Sequence, residues 1–386
     1  MPGGMDQLAL YFHWPFCLAK CPYCDFNSHV RESLPQAQML AALTAELGYE
    51  AARLGRREVG SIFFGGGTPS LMDPESVAAL IQEAGRVFSL APEAEITLEA
   101  NPTSVEAAKF QAYRQAGVNR VSIGVQSFEI EALRFLGRQH SAQQAIAAIE
   151  LGASIFPRIS FDLIYARPGQ DQKSWRAELR QALDLAADHL SLYQLTIEDG
   201  TKFATLHARG EFTLPDEDEA EALYDITAEE AGRYGLQRYE VSNYAKPGGE
   251  SRHNMTYWRY GDYAGIGPGA HGRLSLGGRL LATTRHRAPE PWMERVAAHG
   301  HGTTLEEDIP AQDRAREALI MGLRLREGIA APHFAARTGI ALLDAIEPEI
   351  LDECLAEGYL TFAEDRLAAT AQGIKRLDAL LPALCR

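Results

Sequence analysis

The sequence predicts an α/β protein: a partial (β/α)6 TIM-like barrel followed by a C-terminal winged-helix-like, mostly helical domain. Three observations carry that prediction. From residue 8 to about 200, short apolar runs alternate with longer stretches of helical period, the mark of repeated βα units around a parallel sheet. The apolar runs end in polar or glycine-rich residues, as strands do at the active face of a parallel barrel. From about residue 305 the pattern changes to helices closed by a short hairpin.

Taken in order, 1–7 reads as a flexible leader in which Met5 could be the natural start, and Leu8 to His13 as the first strand. Leu40, Leu43, Leu47, Ala51 and Leu54 then recur at helical spacing. Strand two is Ser61 to Phe64, and Asp73 before Pro74 marks the next helix start. Strands three to six are Glu95–Leu98, Arg120–Val125, Ile159–Ile164 and Leu190–Leu195. Six such units leave a barrel open. The segment 201–304 is less regular, with a helix at 216–233, a strand at Arg238–Ser242 and a glycine-rich zone, and is expected to flank the 8–200 core. The last domain, 305–386, is expected to carry helices at Ala315–Leu325, Ala330–Arg337 and Leu342–Glu357, then a hairpin of Gly358–Phe362 and Arg366–Thr370.

At 386 residues the chain can bury a large core, and its 46% hydrophobic and 23% charged residues are those of an ordinary water-exposed protein. It has no run of eighteen apolar residues and no secretory pattern, so the expectation is a cytoplasmic protein without an integral membrane segment. A net charge of −15 disfavours nonspecific nucleic-acid binding, which needs Lys and Arg to neutralise phosphates. Five cysteines in such a chain point to metal or redox chemistry rather than to disulfides. Cys354 and Cys385 lie far from the others and read as structural.

The remaining three, Cys17, Cys21 and Cys24, fall within eight residues as C-x-x-x-C-x-x-C, with no fourth cysteine following. A 4Fe-4S cluster held by three thiolates keeps one iron without a protein ligand, so that iron can bind a small molecule. A zinc site completed by His13 or His29 is the rival reading. Gly65-Gly66-Gly67-Thr68-Pro69 follows a strand but lacks the lysine of a phosphate-binding loop, and its glycines suit close approach of a ligand to backbone.

Tyr11-x-His13-x-Pro-Phe-Cys17 with Cys24-Asp-Phe26 resembles the radical-SAM superfamily, in the branch that contains oxygen-independent coproporphyrinogen III dehydrogenase and its haem-chaperone relatives. The resemblance covers nearly the whole chain and implies the open (β/α)6 radical-SAM barrel. It also implies a 4Fe-4S cluster on Cys17, Cys21 and Cys24, whose open iron binds S-adenosylmethionine and cleaves it reductively to a 5'-deoxyadenosyl radical. By the same resemblance Gly66, Gly67 and Thr68 touch S-adenosylmethionine. Tyr11 and Tyr23 pack near it, and Glu99, Gln126, Arg138 and Asp162 have cofactor roles, the last two towards a second molecule.

His253-Asn254-x-x-Tyr257-Trp258 reproduces the H-N-x-x-Y-W signature of the haem-chaperone branch. Imidazole is a normal axial ligand of haem iron and aromatic rings pack on porphyrin; the resemblance makes His253 the main haem-linked residue, and Gly267-Pro-Gly-Ala-His271 is a candidate for a second haem contact. Phe26 stands where the dehydrogenases carry a further cysteine, and their longer N-terminal arm is lacking. Both features point away from the decarboxylase and towards a radical-SAM haem chaperone; a radical-SAM methyltransferase or haem-degrading enzyme of the same branch is a further rival. The partners implied are haem, haem-accepting proteins such as respiratory-chain haemoproteins, and optionally a second copy of the chain. One departure is Ala166-Arg167 where the family commonly has Gly-Leu, which bears on the shape of that loop.

Overall fold

A computed structural model describes residues 7–386; the leader expected at 1–7 falls, except for Gln7, outside the described residues. Six parallel strands form the centre of one sheet: β1 (Leu8–Trp14), β2 (Glu58–Gly66), β3 (Ser89–Ala100), β4 (Arg120–Gln126), β5 (Arg158–Tyr165) and β6 (His189–Gln194). They are the six strands expected from the sequence, each within a few residues at its ends apart from the longer β3. Apolar residues of the strands face the helices: Ile96 and Leu98 of β3, Val121 and Ile123 of β4, Ile159 and Phe161 of β5 are buried. Burying each contributes roughly 1.5–3 kcal/mol.

The sheet does not stop at six. Past residue 200 the chain adds β7 (Gln237–Arg238) and β8 (Asn243–Ala245) beside β6, and β9 (Tyr263–Ile266), β10 (His271–Leu276), β11 (Arg279–Arg285) and β12 (Thr303–Asp308) beside β1. The order across the twelve strands is β12-β11-β10-β9-β1-β2-β3-β4-β5-β6-β8-β7. β9 runs parallel to β1, so a seventh parallel strand arises from the glycine-rich zone. The single strand expected at Arg238–Ser242 is instead two short antiparallel strands, paired Tyr244 to Arg238, with Val241 and Ser242 in the turn. The helix expected at 216–233 spans Glu217–Arg233.

The last 78 residues carry helices Ala311–Gly322, Ala331–Thr338 and Pro348–Ala356 and a three-stranded sheet whose hairpin is Leu360–Ala363 with Arg366–Ala369. The helix expected over Leu342–Glu357 is broken. Pro348 disfavours helical backbone at Glu347, so a short 3-10 turn at Leu342–Ala345 ends before the helix proper begins. Cys354 is buried in the core and Cys385 is half-buried against it, as structural cysteines would be.

Candidate functional site

Strand alternation decides what faces the inside of the curled sheet. Glu95, Thr97 and Glu99 of β3 share one face, as do Arg120 and Ser122 of β4, Arg158, Ser160 and Asp162 of β5, and His189, Ser191 and Tyr193 of β6. Side chains from all six strands line one cavity of about 650 Å³, which places the upper members of these rows opposite one another. This inner wall is polar. Arg120 Nε, Thr97 Oγ1 and His189 Nδ1 are buried without a hydrogen-bonding partner among the described residues. Buried polar atoms are nearly always satisfied, so such orphans mark places for water or a bound polar molecule.

Two carboxyls in the cavity are held protonated beyond their ordinary range. Burial, then the nearby charge of Asp162, pushes Glu99 up to about 8, opposed by the Gly66 N–H that donates to it at 3.3 Å. Burial pushes Asp162 up to about 6, opposed by hydrogen bonding to Ser191 and by Arg120. A bound cation, such as the ammonium of an amino acid, would relieve both.

The cluster loop follows β1. Phe16 and Cys17 pair in parallel with His29 and Val30, which folds the loop back on itself. Cys17 is buried, Cys21 and Cys24 are half-buried, and all three are free thiols. The loop is pinned from outside: Thr68 Oγ1 donates to Cys17 Sγ at 3.4 Å, and Arg138 donates to Cys21 Sγ at 3.4 Å, to Asn101 Oδ1 at 2.7 Å and to the Gly124 carbonyl at 2.6 Å. Burial pushes the Cys17 and Cys24 thiols up, so metal is needed to make them thiolates. Of the two histidines in the rival zinc reading, His13 is engaged at both ring nitrogens, 3.0 Å from Tyr11 Oη and 2.8 Å from the Asn27 carbonyl, whereas His29 Nε2 is buried without a partner among the described residues. Three free thiols on one anchored loop, whose Phe26 and Asn27 line the polar cavity with Glu99 and Asp162, fit a three-cysteine cluster with a small polar molecule at its open side.

The sequence-predicted residues divide into two groups. Tyr11, Gly66, Glu99, Asp162, His253, Asn254 and Tyr257 line the cavity together. Gly67 and Thr68 do not: their N–H groups donate to the Trp14 and Phe16 carbonyls at 2.7 and 2.9 Å, which ties the glycine loop to the cluster loop. A Cβ at Gly67 would lie 2.7 Å from the Phe16 carbonyl, so that glycine serves close chain approach. Tyr23 packs near Phe203 and is not among the cavity-lining residues, while Arg138 faces the thiols and its charge also reaches Asp162, which lines the cavity. Gln126, at φ 70, follows a register shift between β4 and β5 at the strand end.

His253 lies in the first turn of the short helix Arg252–Trp258; the helix is capped by Ser251 and fixed by Glu95, which accepts the His253 N–H at 3.3 Å. Its ring is buried against Phe63, with Nδ1 2.9 Å from Ser61 Oγ and Nε2 2.6 Å from Tyr257 Oη. Burial drives it down to about 3, a neutral imidazole. Trp258 leaves this wall: the Arg324 guanidinium lies 4.8 Å above its ring.

Sequence reasoning missed Arg120, Ser122, His189, Ser191 and Tyr193. The polar-apolar alternation of Arg120-Val-Ser-Ile and His189-Leu-Ser-Leu-Tyr193 was the available signal. The Ala166-Arg167 departure also has a physical account. Ala166 holds a left-handed φ of 55, where glycine would be unstrained, and Arg167 is buried in an ion pair with Glu178. A larger cavity, about 880 Å³, opens at the other end of the strands, around Gly60, Arg252 and Arg259. It contains no thiol and neither raised carboxyl.

Residues 11–182 match the Radical SAM superfamily and residues 309–375 the HemN C-terminal domain. The chain is 42% identical to heme chaperone HemW of Escherichia coli, over 98% of each chain. It is 38% identical to the bovine radical S-adenosyl methionine domain-containing protein 1, mitochondrial, over 99% of this chain and 88% of the relative. The solved coproporphyrinogen III oxidase HemN of Escherichia coli superposes with a TM-score of 0.81 over 98% of this chain and 90% of that one, at 22% identity, which shows the shared fold. By these matches, and by a three-thiol loop beside a polar barrel interior, the chain belongs to the HemW family of the radical-SAM superfamily, whose members are expected to hold a 4Fe-4S cluster and S-adenosylmethionine.

Proposed function

We propose that this protein is a haem chaperone: it binds a 4Fe-4S cluster on Cys17, Cys21 and Cys24, S-adenosylmethionine in the barrel cavity, and haem, which it passes to haem-accepting proteins such as those of a respiratory chain. The carrying observation is that the cavity lined by Tyr11, Gly66 and Glu99 is also lined by His253, Asn254 and Tyr257 of the motif helix and by Phe26 of the cluster loop. Support also comes from near full-length similarity to proteins named heme chaperone. Cluster and S-adenosylmethionine supply one-electron chemistry when bound.

In this reading Glu99 and Asp162 receive the ammonium of the methionyl group, and Glu99 gives up its proton as it docks. Arg138 and Thr68 hold the cluster loop, and Tyr11 and Tyr257 close the inner wall against bulk water. Gln126 borders the cofactor from the strand end. Domain limits near 200 and 305 follow the change from parallel units to the flanking strands and then to helices. No helix among the described residues is long and apolar enough to cross a membrane, and we place the protein's work in the cytoplasm.

The alternative of radical oxidative decarboxylation is tested directly. Anaerobically reconstituted protein is given coproporphyrinogen III and S-adenosylmethionine, and the porphyrins are separated by chromatography. The chaperone reading expects no vinyl product beyond stoichiometric traces; product at catalytic turnover overturns it.

A further inference from the structure

We propose that His271, rather than His253, supplies the axial nitrogen to haem iron, at a rim built by the cluster loop and the Gly267–His271 turn. This rests on the haem-binding reading above and names its ligand. It begins from the histidines that border the cavity on its mouth side. His253 is 1% exposed, and both its nitrogens are hydrogen-bonded, to Ser61 and to Tyr257. Binding an iron through Nε2 would displace the Tyr257 hydroxyl from a ring that is otherwise sealed in the wall and leave that hydroxyl buried without its partner. His13 is buried and equally engaged, by Tyr11 and the Asn27 carbonyl.

His271 differs on each point. It is exposed, opens β10 and lines the cavity. Its Nδ1 is 3.3 Å from Oγ1 of Thr284, its partner across the β10–β11 ladder, and Nε2 has no partner among the described residues. With Nδ1–H donating to Thr284, Nε2 presents its lone pair. An imidazole fixed at one nitrogen and free at the other is the arrangement metal-ligating histidines adopt. Burial and the nearby Arg273 and Arg287 charges hold the ring below its usual range, so it is neutral near pH 7.

The turn that delivers His271 is rigid and belongs to the mouth. Gly267 has φ 111, and a Cβ there would lie 2.6 Å from the His13 carbonyl. The Gly267 N–H donates at 2.8 Å to Glu46, itself buried beside Arg285. Asn27 of the cluster loop donates to the Pro268 and Arg287 carbonyls, both at 2.9 Å, so loop and turn move as one.

The surface here suits a flat apolar molecule with two carboxylates. Phe26 is 57% exposed and lines the same cavity as His271 and Arg287; Leu18 and Val30 of the cluster loop are exposed too. An aromatic face packs on a porphyrin, and a guanidinium binds a propionate. The space inside, about 650 Å³, is that of one drug-sized ligand, for which roughly 300–1,000 Å³ is typical. With S-adenosylmethionine inside, haem is left the rim.

The test titrates haemin into the anaerobically reconstituted full chain, followed by absorption and low-temperature EPR. H271A should bind at least tenfold more weakly with a changed Soret band, added imidazole should restore the parental spectrum, and H271M should keep binding with an altered ligand field. H253A should keep the parental haem spectrum. An H271A protein with parental affinity and spectrum overturns the assignment while leaving haem binding intact. A parent chain that binds no haem overturns the chaperone reading itself, and this inference with it.

Discussion

The two ends of the parallel strands are built on opposite principles. At the N-terminal end charges are paired: Arg158 bridges Glu95 at 2.5 Å and Asp188 at 3.2 Å, Asp262 is held by Arg57 at 2.5 Å and Arg337 at 2.7 Å, and Arg259 meets Glu327 at 2.7 Å. Towards the other end lie the free thiols and two carboxyls, Glu99 and Asp162, that burial raises above their ordinary range. One end joins the barrel to the flanking and C-terminal segments. The other keeps binding capacity in reserve. In parallel barrels stability and chemistry separate in this way because loops after the strands can vary without disturbing the core.

The comparison breaks most visibly at the thiols. Cys21→Ser should abolish the brown iron-sulfur absorbance of reconstituted protein while leaving the thermal midpoint of the apoprotein nearly unchanged; a retained cluster would show that the ligand set is misread. At the paired end the reverse is expected. Arg158→Ala leaves Glu95 buried without its cation, a loss of about 3–5 kcal/mol in urea unfolding. Glu95 also anchors the motif helix, so this variant should loosen His253 as well.

A smaller effect follows from Glu99. Its carboxyl titrates in the folded protein at about 8, above the ordinary 4.5, so its contribution to stability is present at low pH and is lost as pH rises through 8. The urea midpoint of the apoprotein should therefore fall between pH 5 and pH 8.5, and less so in Glu99→Gln. Equal slopes in the two proteins would place that proton elsewhere. The smallest effect is at Ala166. Glycine there should relieve a left-handed backbone and stabilise by about 1 kcal/mol, read as a small rise in thermal midpoint.

Much of this was legible before folding. The six central strands were recoverable because apolar runs of strand length alternate with helical periods, and the thiols because their spacing admits few chemistries. The seventh parallel strand was hidden: Tyr263-Ala-Gly-Ile266 is short and glycine-rich, and only pairing with β1 makes it a strand. The fate of the glycine loop was hidden as well. Sequence shows that Gly67 and Thr68 can approach a ligand but not that their N–H groups are taken by the cluster loop. His253 shows the same limit, since a motif marks a residue without revealing that both its nitrogens are engaged. Inward polar residues such as Arg120 and His189 were written in strand alternation and needed only the barrel to give them a common interior.

The central claim is delivery of haem, and one measurement addresses it directly. The reconstituted, haem-loaded chain is mixed anaerobically with the apo form of a haem-requiring protein, and the two are separated and their Soret spectra recorded. The account predicts that haem moves to the acceptor faster than it does from a nonspecific haem-binding carrier at the same concentration. Haem that stays on this chain, or leaves no faster than from that carrier, would contradict it.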